Sequence, residues 1–212
     1  HNPTGTSTSL QKMHRLLTIA ERYDLVLIED DPFADILPKA TPHLASLDAL
    51  NRVIYVGTFS KTLSASLRCG YIAANSALIT SLTDIKMLTV VNSSSTTERI
   101  VHEMIVKGRY RRHLKRLRDR VANASVDAVS ALRGIGLDNV ESSAGGYYLW
   151  CPLPPGVDVM ALSRRAAGEG IFLAPSQLFE LADQNGESAL RINIAHANNH
   201  KLLRFLQAAV LK

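Results

Sequence analysis

The amino-acid sequence predicts an α/β fold over its first half and a smaller α+β region after it. Three observations carry that prediction. Two short apolar runs, Leu25–Ile28 and Val53–Val56, read as buried strands of a parallel sheet. A helix-period segment precedes the first of them, and helix alternating with strand points to a three-layer sheet. A long helical stripe, about Arg109–Leu132, then leads to a second set of elements that includes the strand Leu190–Ile194.

Taken in order, Thr8 or Ser9 can cap a helix running to about Tyr23, with Leu10, Met13, Leu17 and Ala20 as its apolar stripe. A polar, proline-containing loop is expected after Leu25–Ile28, through about Ser46. Tyr71–Ala74 offers a strand beyond Val53–Val56. From Ser76 the pattern is helical, broken at Asn92–Ser95, a turn and helix cap, and again at Gly108. In the long helix Leu114, Leu117, Val121, Ala124, Ala128 and Leu132 keep a spacing of three or four, which makes one buried stripe. Beyond it come a Gly145-Gly146 turn, the run Tyr147–Trp150, a helix near Val157–Ala167 and a terminal helix from about Asn199.

With 212 residues, 46% of them hydrophobic, the chain can bury a core in one domain or in two small ones. No run approaches the roughly 20 apolar residues of a membrane helix, so no membrane partner is expected. Cys69 and Cys151 are too few and too far apart for a disulfide framework or zinc site, which suits the cytoplasm. The histidines show no metal-ligand spacing, so no metal is implied. The net charge of +5 mostly reflects seven basic residues between Arg109 and Arg120. Arg109, Arg112, Arg116 and Arg120 share one helical face opposite the apolar stripe. A solvated face is the better reading than a nucleic-acid surface, because only Tyr110 is interleaved as a stacking platform.

The chemistry is concentrated at Thr58-Phe59-Ser60-Lys61, with Arg68 seven residues on. Strand ends in α/β sheets are where ligands bind. A lysine is costly to hold in a desolvated cleft unless it has a task there, and Schiff-base formation is one. Two hydroxyls (Thr58, Ser60) and a guanidinium (Arg68) can hold a phosphate. Lysine beside a phosphate cradle is the chemistry of pyridoxal 5′-phosphate (PLP). Alone, the segment also reads as a solvated turn, Asp30 as a capping acid, and Arg191 as an ordinary strand arginine.

Their company narrows the choice. His1-Asn2-Pro3-Thr4-Gly5, Glu29-Asp30-Asp31-Pro32-Phe33, the lysine segment and Leu190-Arg191-Ile192-Asn193-Ile194-Ala195 follow one another at separations that resemble class I/II aminotransferases of PLP fold type I. EDDPFADILP, RVIYVGTFSKTLSASLRCGYIAA and GRYRRHLKRLRDRV are most similar to the aminotransferase-like domain of MocR-type regulators of the GntR family. The resemblance covers nearly the whole chain. It implies an aspartate-aminotransferase-like fold, with residues 1–108 as the C-terminal half of the large domain and 109–212 as the small domain. It also implies that the chain is the C-terminal part of a longer protein, with more of the large domain and a winged-helix DNA-binding region upstream. Contact with DNA is expected only through that upstream region.

The roles the resemblance implies are specific. Lys61 forms the internal aldimine with PLP and moves the α-proton. Asp30, three residues before Phe33 and so preferred over Asp31, keeps the pyridine nitrogen protonated. Thr58, Ser60 and Arg68 hold the phosphate. Asn2 contacts the phenolic oxygen and substrate, and Arg191 grips the substrate α-carboxylate. Phe33 departs from the pattern, since the family usually has tyrosine there, and phenylalanine cannot donate a hydrogen bond. Two functions share this pocket: an effector-sensing module of a transcriptional regulator that binds an amino acid or amine, or a free-standing aminotransferase. An apo scaffold is a third, disfavoured by the presence together of Lys61, Asp30 and Arg68. A homodimer is expected for either leading function.

Overall fold

The computed structural model describes residues 1–37, 41–140, 146–180 and 187–210. They form two compact units, residues 8–117 and residues 1–7 with 118–212. Gly145, and with it the Gly145-Gly146 turn, lies outside the described residues.

In the first unit, α1 (Leu10–Arg22) begins where the sequence places it, with the Ser9 hydroxyl accepting from the Lys12 amide at 3.3 Å. Met13 and Ala20 of its stripe are buried, whereas Leu10 is exposed. The helix ends because Asp24 turns left-handed at φ +50°, and the Leu25 amide folds back onto the Ala20 carbonyl at 2.8 Å. Leu25 is thereby spent on the helix exit, and β1 runs later than its apolar run suggests, over Leu27–Asp31. The strand therefore carries the acids. Its residues alternate between faces, with Ile28 and Asp30 exposed and Leu27, Glu29 and Asp31 half-buried on the other side.

Strand β2 (Val53–Thr58) pairs parallel to β1, setting Asp30 opposite Val56, and β3 (Gly70–Ala73) pairs antiparallel to β2, setting Thr58 opposite Gly70. Between β1 and β2 lies α2 (Leu44–Asp48), a short helix where the sequence suggests loop. Its first amides, Leu44 and Ala45, each donate to the Glu29 carboxylate at 2.9 Å. An acid 15 residues away caps it, so no local pattern announces it. Two further helices follow the expected breaks, α3 (Ser76–Thr89) capped by Asn75 and α4 (Ser95–Val106) capped by Ser94. Gly108, at φ +65°, separates α4 from the long α5 (Arg109–Arg133).

The division between the units falls inside α5, after Leu117. Its stripe is buried at Leu114, Val121, Ala128 and Leu132, while Arg109, Arg112, Arg116 and Arg120 are exposed. In the second unit β4 (Tyr148–Pro152), β5 (Ala174–Pro175) and β6 (Ala189–Asn193) form an antiparallel sheet with β6 central. The same unit holds α6 (Val159–Gly168) and α7 (His200–Val210). Leu132, Leu149, Leu190 and Leu206 are fully buried in its core. Burial also pushes the Cys151 thiol up to about 12, which leaves it a small apolar residue and not a nucleophile. Among the described residues, no helix is long and apolar enough to cross a membrane.

Candidate active site

In the first unit the predicted residues gather at the carboxyl ends of β1 and β2. Thr58 ends β2, and its hydroxyl organises the turn that follows. It bonds the Ser60 hydroxyl at 2.9 Å, donates toward the Cys69 carbonyl at 3.3 Å and accepts the Ser60 amide at 3.1 Å. The Phe59 amide also donates to the Cys69 carbonyl, at 3.1 Å, so the turn is tied at its start to the segment that carries Arg68. Arg68 adopts a left-handed backbone at φ +48°. That conformation costs a non-glycine residue about 1 kcal/mol or more, and strain of this kind gathers at binding sites.

Thr58, Ser60 and Arg68 line a cavity of about 660 Å³ together with Val56, Gly70 and Ile72. Two hydroxyls and a guanidinium suit a phosphate, and the apolar wall suits a flat ring. Gly70 lets β3 pack closely on β2 at the cavity wall, because a Cβ there would lie 2.8 Å from the Gly57 carbonyl oxygen. The donor set therefore fits a phosphorylated aromatic cofactor. Lys61 is exposed, one residue past Ser60. Asp30 is exposed on the neighbouring strand, on the face that carries Val56. Neither lines the cavity itself.

The two acids of the Asp30-Asp31 pair separate by face. Asp31 lies 3.0 Å from His43 Nδ1, on the side where Glu29 caps α2. Burial raises the Asp31 carboxyl above its usual range, and His43 pulls the other way. Asp31 is thus engaged in holding α2, while Asp30 faces the opposite side of the sheet. Phe33 follows in the turn after β1, half-buried, its carbonyl accepting the Ile36 amide at 2.9 Å.

In the second unit the structure joins the two residues assigned to substrate. Asn2 lies in a tight turn closed by the Gly5 amide on the His1 carbonyl at 2.8 Å. Arg191, on the central strand β6, donates from Nη1 to Asn2 Oδ1 at 2.8 Å. Its guanidinium stacks 4.4 Å over the Tyr148 ring and 5.1 Å from that of Phe179. These two aromatics were not legible as site residues, although Tyr148 belongs to an alternating strand that leads back to Arg191. A separate cavity of about 800 Å³ between α6 and α7 is lined by Arg165, His200, Lys201 and Arg204, of which two are engaged locally. Arg165 stacks on Phe205 at 5.2 Å and the Lys201 amine donates to the Glu169 carbonyl.

The HTH-type transcriptional regulator NorG of Staphylococcus aureus is 29% identical over 206 residues, covering 95% of this chain and 46% of the relative. The uncharacterized HTH-type transcriptional regulator YdfD of Bacillus subtilis is 30% identical over 204 residues, covering 93% and 41%. The chain thus spans less than half the length of these curated relatives. Among solved structures, α-aminoadipate aminotransferase LysN of Thermus thermophilus, complexed with N-(5′-phosphopyridoxyl)-L-leucine, superposes with a TM-score of 0.85. It is 28% identical, with 99% of this chain and 56% of that one covered. Pyrococcus horikoshii kynurenine aminotransferase superposes at 0.86 with 24% identity, covering 99% and 53%. The fold is that of PLP fold type I. The family described as aminotransferase class I and II matches residues 1–208, and the chain belongs to it.

Proposed function

We propose that this chain is a PLP-binding, aminotransferase-like domain acting as the effector-sensing part of a cytoplasmic, homodimeric MocR-type regulator. In this reading residues 1–108 complete a large domain and 109–212 form the small one. The observation that carries cofactor binding is the turn in which Thr58, Ser60 and Arg68 line one cavity beside Lys61. The regulatory role is supported by the likeness to HTH-type regulators along almost the whole chain. The likeness to LysN favours the alternative, a free-standing aminotransferase moving an amino group between an amino acid and a 2-oxo acid.

The cofactor, when bound, supplies an electron sink for charge released at the α-carbon. The residues divide the remaining work. On cofactor binding the Thr58 hydroxyl would turn from the Cys69 carbonyl so that it and the Ser60 hydroxyl donate to the phosphate, and Arg68 would add a charged fork. Asp30 holds a proton on the pyridine nitrogen. Lys61 would hold the cofactor covalently and, with its amine released by an incoming amino acid or amine, would serve as the general base for the α-proton. Arg191 holds the ligand carboxylate, with Asn2 fixing the orientation of its guanidinium and contacting the cofactor's phenolic oxygen.

The intact protein separates the two readings. Mobility of its own promoter DNA is measured with PLP present, with and without candidate amino acids and amines, while 2-oxo acid release is followed in the same mixtures supplied with a second 2-oxo acid as amino acceptor. DNA binding that shifts with ligand supports the sensor. Steady 2-oxo acid production without DNA binding contradicts it and leaves the enzyme.

Phe33 adds a prediction. Without a phenolic donor, the imine nitrogen at Lys61 is expected to be more basic than in the Phe33→Tyr variant. Titrating the visible absorbance of the bound cofactor checks this: the variant's apparent pKa falls, and an unchanged value contradicts the assignment.

A further inference from the structure

Thr62, the residue after Lys61, is 3% exposed and is gripped twice. Its hydroxyl lies 2.9 Å from the Tyr110 hydroxyl, and its carbonyl oxygen lies 2.7 Å from His113 Nε2. A carbonyl only accepts, so Nε2 carries the hydrogen. The Tyr110 hydroxyl also lies 2.5 Å from Asp35 Oδ2, in the turn two residues beyond Phe33. A phenol has one hydrogen, and the carboxylate takes it as the stronger acceptor. The Thr62 hydroxyl therefore donates to the phenolic oxygen. Burial, followed by the bond to Asp35, holds the Tyr110 hydroxyl well above its ordinary value, so it stays protonated and keeps this polarity.

The other side of the lysine is fixed as well. The Ser60 amide is bound by Thr58 Oγ1 at 3.1 Å, and the Phe59 ring meets the Tyr110 ring edge-on with centroids 5.6 Å apart. Lys61 is thus an exposed side chain whose two backbone neighbours are both immobilised. A buried tyrosine needs a partner for its hydroxyl in any fold. Partner need alone does not account for His113, one helical turn further along α5, seizing the backbone of the same residue.

We propose that Tyr110 and His113 are positioning residues for Lys61, acting through Thr62 to fix the direction in which the lysine side chain leaves the backbone. The same network ties that direction to the turn bearing Phe33 and to the start of α5. The proposal rests on the reading of Lys61 as the cofactor-bearing residue.

The test compares two probes on the intact protein and its Tyr110→Phe, His113→Leu, Thr62→Val and Thr62→Ser variants. PLP carries an aldehyde: the lysine nitrogen attacks its carbon, a C=N bond forms and the aldehyde oxygen leaves as water. Pyridoxamine 5′-phosphate has no aldehyde and reports only the phosphate and ring contacts. Expected for Tyr110→Phe, His113→Leu and Thr62→Val is slower C=N formation, on the order of 10-fold or more, with pyridoxamine 5′-phosphate affinity unchanged. Thr62→Ser, which keeps the hydroxyl, restores the rate. If Tyr110→Phe fails to fold, the Thr62→Val and Thr62→Ser pair decides. An unchanged attachment rate, or equal weakening toward both probes, overturns the proposal while the cofactor reading stands. Wild-type protein that forms no C=N bond at Lys61 overturns both.

Discussion

Lys61→Ala is expected to remove covalent cofactor retention while leaving phosphate binding in place. The cradle is built by Thr58, Ser60 and Arg68, with the Thr58 hydroxyl bonded to the Ser60 hydroxyl and amide and to the Cys69 carbonyl. Pyridoxamine 5′-phosphate should therefore bind the variant as it binds wild type, and PLP should be lost on gel filtration. Any ligand-driven proton transfer should slow by about 10²–10⁴-fold, the usual contribution of a positioned general base. Single-turnover absorbance changes with an amino acid measure this directly. A variant that retains PLP through gel filtration would mean that another amine carries the cofactor.

The second large effect is expected at Arg191. Its guanidinium carbon lies 4.4 Å from the centre of the Tyr148 ring and 5.1 Å from that of Phe179, while Nη1 donates to Asn2. A planar cation fixed in this way can present a fork to a carboxylate, whereas lysine keeps the charge and loses both the stacking plane and the paired donors. Arg191→Lys is therefore expected to weaken amino-acid binding on the order of 10- to 100-fold, the loss of one or two charge-assisted hydrogen bonds. PLP attachment at Lys61 should be untouched. Titration of the cofactor absorbance with amino acid, compared with a matched amine that lacks the carboxylate, separates the contributions. Equal weakening toward both ligands would mean that Arg191 only supports the sheet.

Much of this was legible in the sequence, for identifiable reasons. Ser9, Ser94 and Gly108 signal local breaks, and helices start at them where expected. The joining of Asn2 to Arg191 across 189 residues was reachable only through the family resemblance, which assigned both to one ligand. What stayed hidden depends on distant partners. Helix α2 has no cap of its own and borrows Glu29. Strand β1 is displaced from its apolar run because a left-handed Asp24 assigns Leu25 to the helix exit. Tyr110 reads from sequence as one aromatic in a basic run, yet it precedes Leu114 by four residues and continues the buried stripe. That spacing was the available sign that its hydroxyl would need a partner inside.

The cofactor-bearing lysine is tested most directly by trapping. Purified intact protein is loaded with PLP, reduced with borohydride, digested, and the modified peptide sequenced by mass spectrometry. A phosphopyridoxyl group on Lys61 within the segment GTFSKTLSASLR is the predicted result. Modification spread over other lysines, or no modification at all, would contradict the assignment of this turn as the cofactor site.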